Sequence, residues 1–302
     1  MRTISRTPAA IAPLAVVLVL GAALTACGAP RDEADDSSDT AGDASSETTP
    51  AAEACAKDSL ATLTPGTLTI GTDSPAYEPW FVDDDPTNGE GYESAVAYAI
   101  AEQLGYSTDE VQWVTVPFNA VVSPGEKKFD FDVNQVSITE QRRKAVDFSS
   151  GYYDVRQTVI TNAGSAIDGA TSIADLADAR LGAQVGTTSY TAITETIGTS
   201  EQPAAFDTND QAVQSLKNGQ IDGIVVDLPT AYFMTAVQLD KGTIVGQLPL
   251  PDGDVEQFGA VLDKGSPLTD CVSQAVDTLR EDGTLDQIAS EWLEQQGAPE
   301  LS

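Results

Sequence analysis

Phe131-Asp132-Val133-Asn134-Gln135-Val136-Ser137-Ile138-Thr139-Glu140-Gln141-Arg142 is the stretch on which the fold of this 302-residue chain turns. Its pattern predicts a buried strand over Phe129 to Val136 that stops in polar residues and passes into a helix. Thr139 suits the N-cap, Glu140 suits the positive end of the helix dipole, and Arg142 falls within the first turn. A strand end, free backbone N–H groups and a guanidinium together make a place to hold a carboxylate. From these residues alone, Arg142 reads equally as a solvated helix arginine.

Outward from this stretch, short pieces follow one another in a fixed order. They are Gly71-Thr72-Asp73 with Tyr77, Pro79 and Trp80, then Gly91-Tyr92-Glu93, then Val146-Asp147-Phe148-Ser149. Val185-Gly186-Thr187-Thr188, Ile221-Asp222-Gly223 to Asp227, and Asp282-Gly283-Thr284-Leu285 to Trp292-Leu293 complete the series. With Ser137-Ile138-Thr139-Glu140 and Arg142, this order resembles the family 3 extracellular solute-binding proteins, the amino-acid receptors of ABC importers, over nearly all of the chain after about residue 60. The resemblance implies an α/β, two-lobed type II periplasmic-binding-protein fold with a two-strand hinge and an interlobe cleft. It also implies a receptor rather than an enzyme, with no cofactor and no metal.

The front end reads as an export signal. Arg2 and Arg6 precede an apolar run from Ile11 to Leu24, too short and alanine-rich for a spanning helix. Leu24-Thr25-Ala26-Cys27 looks like a bacterial lipobox, which implies removal of residues 1–26 and lipidation of Cys27; a plain signal peptide with an incidental cysteine is the alternative. Residues 27–54 contain no aromatic residue and no Val, Ile or Leu, so they cannot bury enough apolar area to fold. They read as an acidic tether, spanning about 30 Å as a random coil, that holds a domain off the outer face of the cell membrane.

The formal charge is −32 with no histidine, and loss of Arg2 and Arg6 takes it to −34. Such a chain repels nucleic acid and offers no histidine triad or histidine metal site. Of the three cysteines, lipidation of Cys27 would leave Cys55 and Cys271 as a pair, oxidised in an exported protein or else two buried thiols. Their bridge would bring the start of the folded part against a helix near its end.

From about residue 60 strands and helices alternate, which predicts mostly parallel sheets covered on both faces. Strands are expected at Thr67–Ile70, Val111–Val116, Val159-Ile160, Leu181–Val185 and Ile221–Val226; helices are expected around Val96, Ile100 and Leu104, at Ala212 to Leu216, and over Leu268–Leu279 and Thr284–Leu293. The alternation restarts after Ser149, giving two lobes. Lobe 1 is placed at 55–153 plus 253–302 and lobe 2 at 154–252, with crossings near Tyr153-Asp154 and Pro251 to Gly253.

The resemblance assigns the site. Arg142 would clamp an α-carboxylate with help from Ser137, Thr187 and Thr188, while Asp227 would accept the α-ammonium. On pattern alone Asp227 could instead cap the helix beginning at Leu228-Pro229. Tyr77, Phe118 and Trp80 match positions that enclose the ligand side chain, though Phe118 and Trp80 also suit ordinary core packing. Two departures bear on specificity. Gly91-Tyr92-Glu93 is followed by Ser94-Ala95 where the family usually carries a second acid, and Gln135 stands where a small hydroxyl residue is common. Gln135 could recognise a polar side chain, and Asp73 or Glu78 a cationic one. The expected ligand is a polar amino acid, delivered by a monomer to an ABC permease. A cyclohexadienyl-dehydratase-like enzyme and a sensor for a separate signalling partner are the other readings.

Overall fold

A computed structural model describes residues 54–250, 255–293 and 297–302 of the protein. The signal segment, the tether with Cys27 and the expected crossing at Pro251 to Gly253 lie outside the described residues. Two five-stranded sheets form the frame. The first contains Leu68–Thr72 (β1), Val111–Thr115 (β2), Phe131–Asp132 (β3), Asp147–Val155 (β4) and Glu256–Leu262 (β10), in the order β2-β1-β3-β10-β4. The second contains Gln157–Asn162 (β5), Leu181–Gln184 (β6), Ala204–Phe206 (β7), Gly223–Asp227 (β8) and Gly242–Gln247 (β9), in the order β7-β6-β8-β5-β9.

Alternating side chains explain why each sheet is buried on both faces. In β5, Val159 packs into one apolar cluster with Leu176, Leu181 and Ile193, while its neighbour Ile160 packs into another with Val213, Leu216 and Met234. The same division holds in β10, where Phe258 and Ala260 face one core and Val261 the other. Side chains such as Ile70, Phe131 and Val276 are fully buried, each contributing about 1.5–3 kcal/mol against exposure. The expectation of mostly parallel sheets needs correction. β1 runs parallel to β2 and β3, and β6 parallel to β7 and β8, but β10 is antiparallel to β3 and β4, and β5 is antiparallel to β8 and β9. β4 enters β5 through Arg156 alone, and β10 is the returning strand, so it runs against the strands beside it.

The helices are Tyr92–Gln103 (α1), Phe118–Val121 (α2), Thr188–Ala192 (α3), Asn209–Lys217 (α4), Leu228–Phe233 (α5), Thr269–Glu281 (α6) and Thr284–Trp292 (α7). α6 carries Cys271, Val272, Ala275, Val276 and Leu279 into the first core, and Cys55 is disulfide-bonded to Cys271 across 216 residues of sequence. Chain-entropy arguments give a loop of that length at most about 5 kcal/mol of stabilisation.

Two further expectations are corrected here. The strand around Phe131 is only two residues long, and the helix at Arg142 is a single turn, Arg142–Lys144. Gln135 adopts a left-handed φ of 48°, which breaks the strand; Val146 N–H closes onto the Arg142 carbonyl just before β4 begins, which ends the turn. Thr139 Oγ1 accepts the Arg142 N–H at 3.1 Å, although the N-cap position of the turn itself is Gln141, which makes no side-chain cap. The second correction concerns the last residues, expected in lobe 1. Gln247 N–H donates to Pro299 O at 2.8 Å, Leu301 N–H donates to Gln247 O at 2.9 Å, and Leu301 is buried in the core with Val245 and Leu248. The apolar side chain of Leu301 finds its burial on the second sheet, and the backbone follows beside β9.

Candidate functional site

The polar ends of both sheets face one cleft. From the first sheet's side it is lined by Thr72, Asp73, Tyr77, Phe118, Asn134, Gln135 and Arg142; from the second by Gln184, Thr187, Thr188, Ser189, Asn209 and Asp227. β1, β3, β6 and β8 all deliver their carboxyl ends here, the position at which open α/β sheets bind ligands.

Arg142 is buried and reaches across the cleft. Its Nη1 donates to Ser137 O at 2.6 Å and its Nη2 to Gly186 O at 3.0 Å, while the guanidinium lies over the Phe118 ring at 5.5 Å. These carbonyls use two of the five N–H donors of the side chain. Burial lowers Arg142 to about 10, with the Glu256 and Asp227 carboxylates opposing the shift. Gly186 makes the approach possible. Its φ is 80°, and a Cβ there would stand 2.6 Å from Asn119 Oδ1.

Asp227 ends β8 and makes no side-chain cap to α5, so the capping alternative is not realised. Its Oδ1 accepts a hydrogen bond from Gln157 Nε2 at 3.0 Å. Burial, then the Glu256 carboxylate, hold Asp227 well above the usual carboxylate range; Gln157 and Arg142 pull the other way. Thr188 Oγ1 lies 3.1 Å from Ser137 Oγ, joining the two sides. Thr187 Oγ1 accepts the Tyr190 N–H at 3.1 Å and donates to Gln184 O, which caps α3 and aims its first N–H groups at the cleft. Asp73 Oδ2 accepts the Phe118 N–H at 3.1 Å, and Tyr77 is raised above the usual phenol range by burial and then by Asp210.

The structure therefore brings together Asp73, Tyr77, Phe118, Gln135, Arg142, Thr187, Thr188 and Asp227. Ser137 and Trp80 stand outside the lining. Ser137 is buried, with its hydroxyl on Thr188 and its carbonyl on Arg142. Trp80 is fully buried among Tyr92, Tyr153 and Phe258, with ring centroids 5.5–5.9 Å away, so it does not enclose the cleft. Its Nε1 donates to Thr230 Oγ1 of α5 at 2.9 Å, a contact between the two sides. Glu78 also lies outside the lining.

Gln157 and Glu256, beside the cleft, carry no signal that sequence reasoning could have used, whereas Asn134 carries one. Gln157, at the start of β5, is the hub: its Nε2 donates to Asp227 and to Glu256, and its Oε1 accepts from Ser189 Oγ at 2.6 Å. Glu256 is distant in sequence and becomes its neighbour only because β10 returns beside β4. Asn134 lay inside the quoted stretch; the period-2 alternation that carried Asp132 inward marks it as the next residue on that face. Its Nδ2 and the Thr72 hydroxyl are buried without a hydrogen-bond partner among the described residues.

The chain belongs to the bacterial extracellular solute-binding proteins, family 3, whose family model matches residues 68–295. It is 27% identical over 237 residues to the arginine-binding extracellular protein ArtP of Bacillus subtilis strain 168, covering 75% of this chain and 86% of that protein. To the L-cystine-binding protein TcyA of the same organism it is 29% identical over 286 residues, covering 93% of this chain and 96% of that one. Among solved structures, the ancestral amino acid-binding protein AncCDT-1, a precursor of cyclohexadienyl dehydratase, superposes with a TM-score of 0.62 at 30% identity, covering 76% of this chain and 96% of that chain. The two-lobed α/β architecture and its place among extracytoplasmic binding proteins follow from that membership.

Proposed function

We propose that the protein binds a free polar amino acid in the cleft and presents it to an ABC importer. The observation that carries this reading is the cleft's own division of charge. A buried guanidinium, Arg142, supplies donors at one place, and a carboxylate, Asp227, supplies acceptors at another, on opposite sides of one cleft. An α-carboxylate suits the first and the α3 N-terminus beside it; an α-ammonium suits the second. Thr72 Oγ1 and Asn134 Nδ2 are buried polar atoms that a polar side chain would satisfy. Arg142 is the one cation among the described residues that line the cleft, beside the acids Asp73 and Asp227, so a second carboxylate on the ligand would meet no further cation, which disfavours glutamate and aspartate.

Several parts of this reading extend past the cleft. Lobe 1 comprises 55–153 with the returning chain from about residue 253, and lobe 2 comprises 154–252 joined by the terminal residues beside β9. Cys27 carries a lipid anchor at the outer face of the cell membrane, and the receptor acts as a monomer. We read it as a receptor rather than an enzyme, because Arg142 and Asp227 suit the two ends of one zwitterion.

The experiment is a thermal-shift screen of residues 55–302 against the amino acids, with calorimetry on each hit. Arg142→Ala and Asp227→Ala should each weaken binding at least about tenfold, roughly 1.4 kcal/mol. A hit whose affinity ignores both substitutions refutes the assignment. Turnover of prephenate or arogenate would establish the dehydratase reading in its place, and uptake that survives deletion would favour the sensor.

A further inference from the structure

Gln135 lines the cleft at φ 48°, a backbone conformation that side chains other than glycine seldom adopt. What grips it there is Glu93, the second residue of α1, which is fully buried. Glu93 Oε1 accepts the Gln135 backbone N–H at 2.6 Å, and Oε2 accepts the same residue's Nε2. Tyr152, on β4, donates its hydroxyl to Oε1. One carboxylate thus holds both the main chain and the side chain of a cleft residue. Two residues on, the Ser137 carbonyl takes Nη1 of Arg142, so the course of this loop also sets where the guanidinium sits.

We propose that Glu93 is a positioning residue of the cleft, and that gain or loss of one proton on its carboxylate reverses the Gln135 amide and so couples ligand affinity to pH. The proposal rests on the reading of the cleft as the ligand site. An ionised carboxylate only accepts, so both Gln135 donors turn to it and the amide oxygen is left for the cleft. With a proton taken from solvent, one carboxyl oxygen becomes a donor. It then suits the amide oxygen of Gln135, and the NH2 group turns to the cleft instead.

The surroundings place this change within reach of neutral pH. Burial pushes Glu93 up to about 7, against the downward pull of Tyr152 and Gln135. Asp132 of β3 and Asp227 across the cleft are acids that feel its charge, and Tyr152 and Tyr92 face it as well. Arg280 of α6 is the nearby cation, beside Tyr92 and donating to Gly151 O.

The test is a pH titration of the whole folded chain. In 15N spectra of the ligand-free protein the Gln135 backbone amide should shift with a midpoint near 7, the Glu93 value, and should stay still in Glu93→Gln. In calorimetry with L-arginine and L-glutamine as probes, affinity should be about fivefold weaker at about pH 5.5 than at about pH 8.5. Glu93→Gln should remove that step, leaving only what Asp227 contributes. If Glu93→Gln fails to fold, Gln135→Gly, which accepts positive φ, should also lose the step. A Gln135 amide that does not titrate in the wild type, or an affinity step that keeps its full size in Glu93→Gln, overturns the proposal. Absence of binding by both probes at every pH, with no hit in the amino-acid screen, would overturn the ligand reading of the cleft, while the amide titration still decides the role of Glu93.

Discussion

Arg142 Nη2 lies 3.0 Å from the carbonyl oxygen of Gly186, and this hydrogen bond, with the Ser137–Thr188 hydroxyl contact, ties the stretch Phe131–Arg142 to the far side of the cleft. Gly186→Ala should therefore act on both sides at once. The added Cβ would meet Asn119 Oδ1 at 2.6 Å, and φ 80° strains any residue with a side chain. The expected cost is about 1–3 kcal/mol, read as a lower denaturant midpoint together with weaker ligand binding. A variant with unchanged midpoint and affinity would show that the close approach is not needed.

Trp80 and Thr230 give a cleaner view of closure. Trp80→Phe keeps an aromatic ring in the cluster and removes the Nε1 donor to Thr230 Oγ1. Because the lost bond joins the two sides, ligand affinity should fall by about 0.5–1.5 kcal/mol. Thr230→Val should do the same, and the double variant should lose no more than either alone. Additive losses would mean that the two side chains act separately.

Asp132 is a buried carboxyl with no hydrogen-bond partner on either oxygen among the described residues. Burial, then the Glu93 and Asp73 carboxylates, raise it well above the ordinary range, with Lys127 opposing. The folded state then binds a proton that the unfolded chain has released, so stability falls as pH rises beyond the ordinary carboxylate range. Asp132→Asn has no charge to bury. It should raise stability at neutral pH by about 1–3 kcal/mol and flatten that decline, as followed by urea unfolding at several pH values. A steeper decline in the variant would contradict the burial argument.

Cys55 and Cys271 should be interchangeable in their effect. Cys55→Ser and Cys271→Ser each open the same loop of 216 residues, so each should cost about 2–5 kcal/mol, and the double variant no more than one of them. Thermal unfolding with and without reductant checks this. Wild type under reductant should match the variants.

Much of this arrangement was legible because its signals are local. Short apolar runs mark β5 and β8, and Leu285 with the Asp282-Gly283 break marks the helix pair near the end. Thr139 signals a side-chain bond to a nearby backbone N–H, and its Oγ1 accepts that of Arg142. The rest depends on neighbours that only folding supplies. Gln157 becomes a hub because β10 returns with Glu256 beside it, and polar glutamines at strand ends are common in sequence. Trp80 was assigned to the ligand, yet three aromatics distant in sequence converge on it and bury it. Antiparallel β10 was missed for the same reason, since a returning strand looks like any other apolar run.

Leu293 sits in the first core and Leu301 in the second. The eight residue steps between those numbers can stretch by at most about 28 Å at roughly 3.5 Å each. So long as both leucines stay seated, any excursion that parts the halves has a fixed leash, set by chain length and independent of the strands that share the crossing. Lengthening that segment, with Leu301 left in place, would widen the permitted swing without touching a single residue of the cleft.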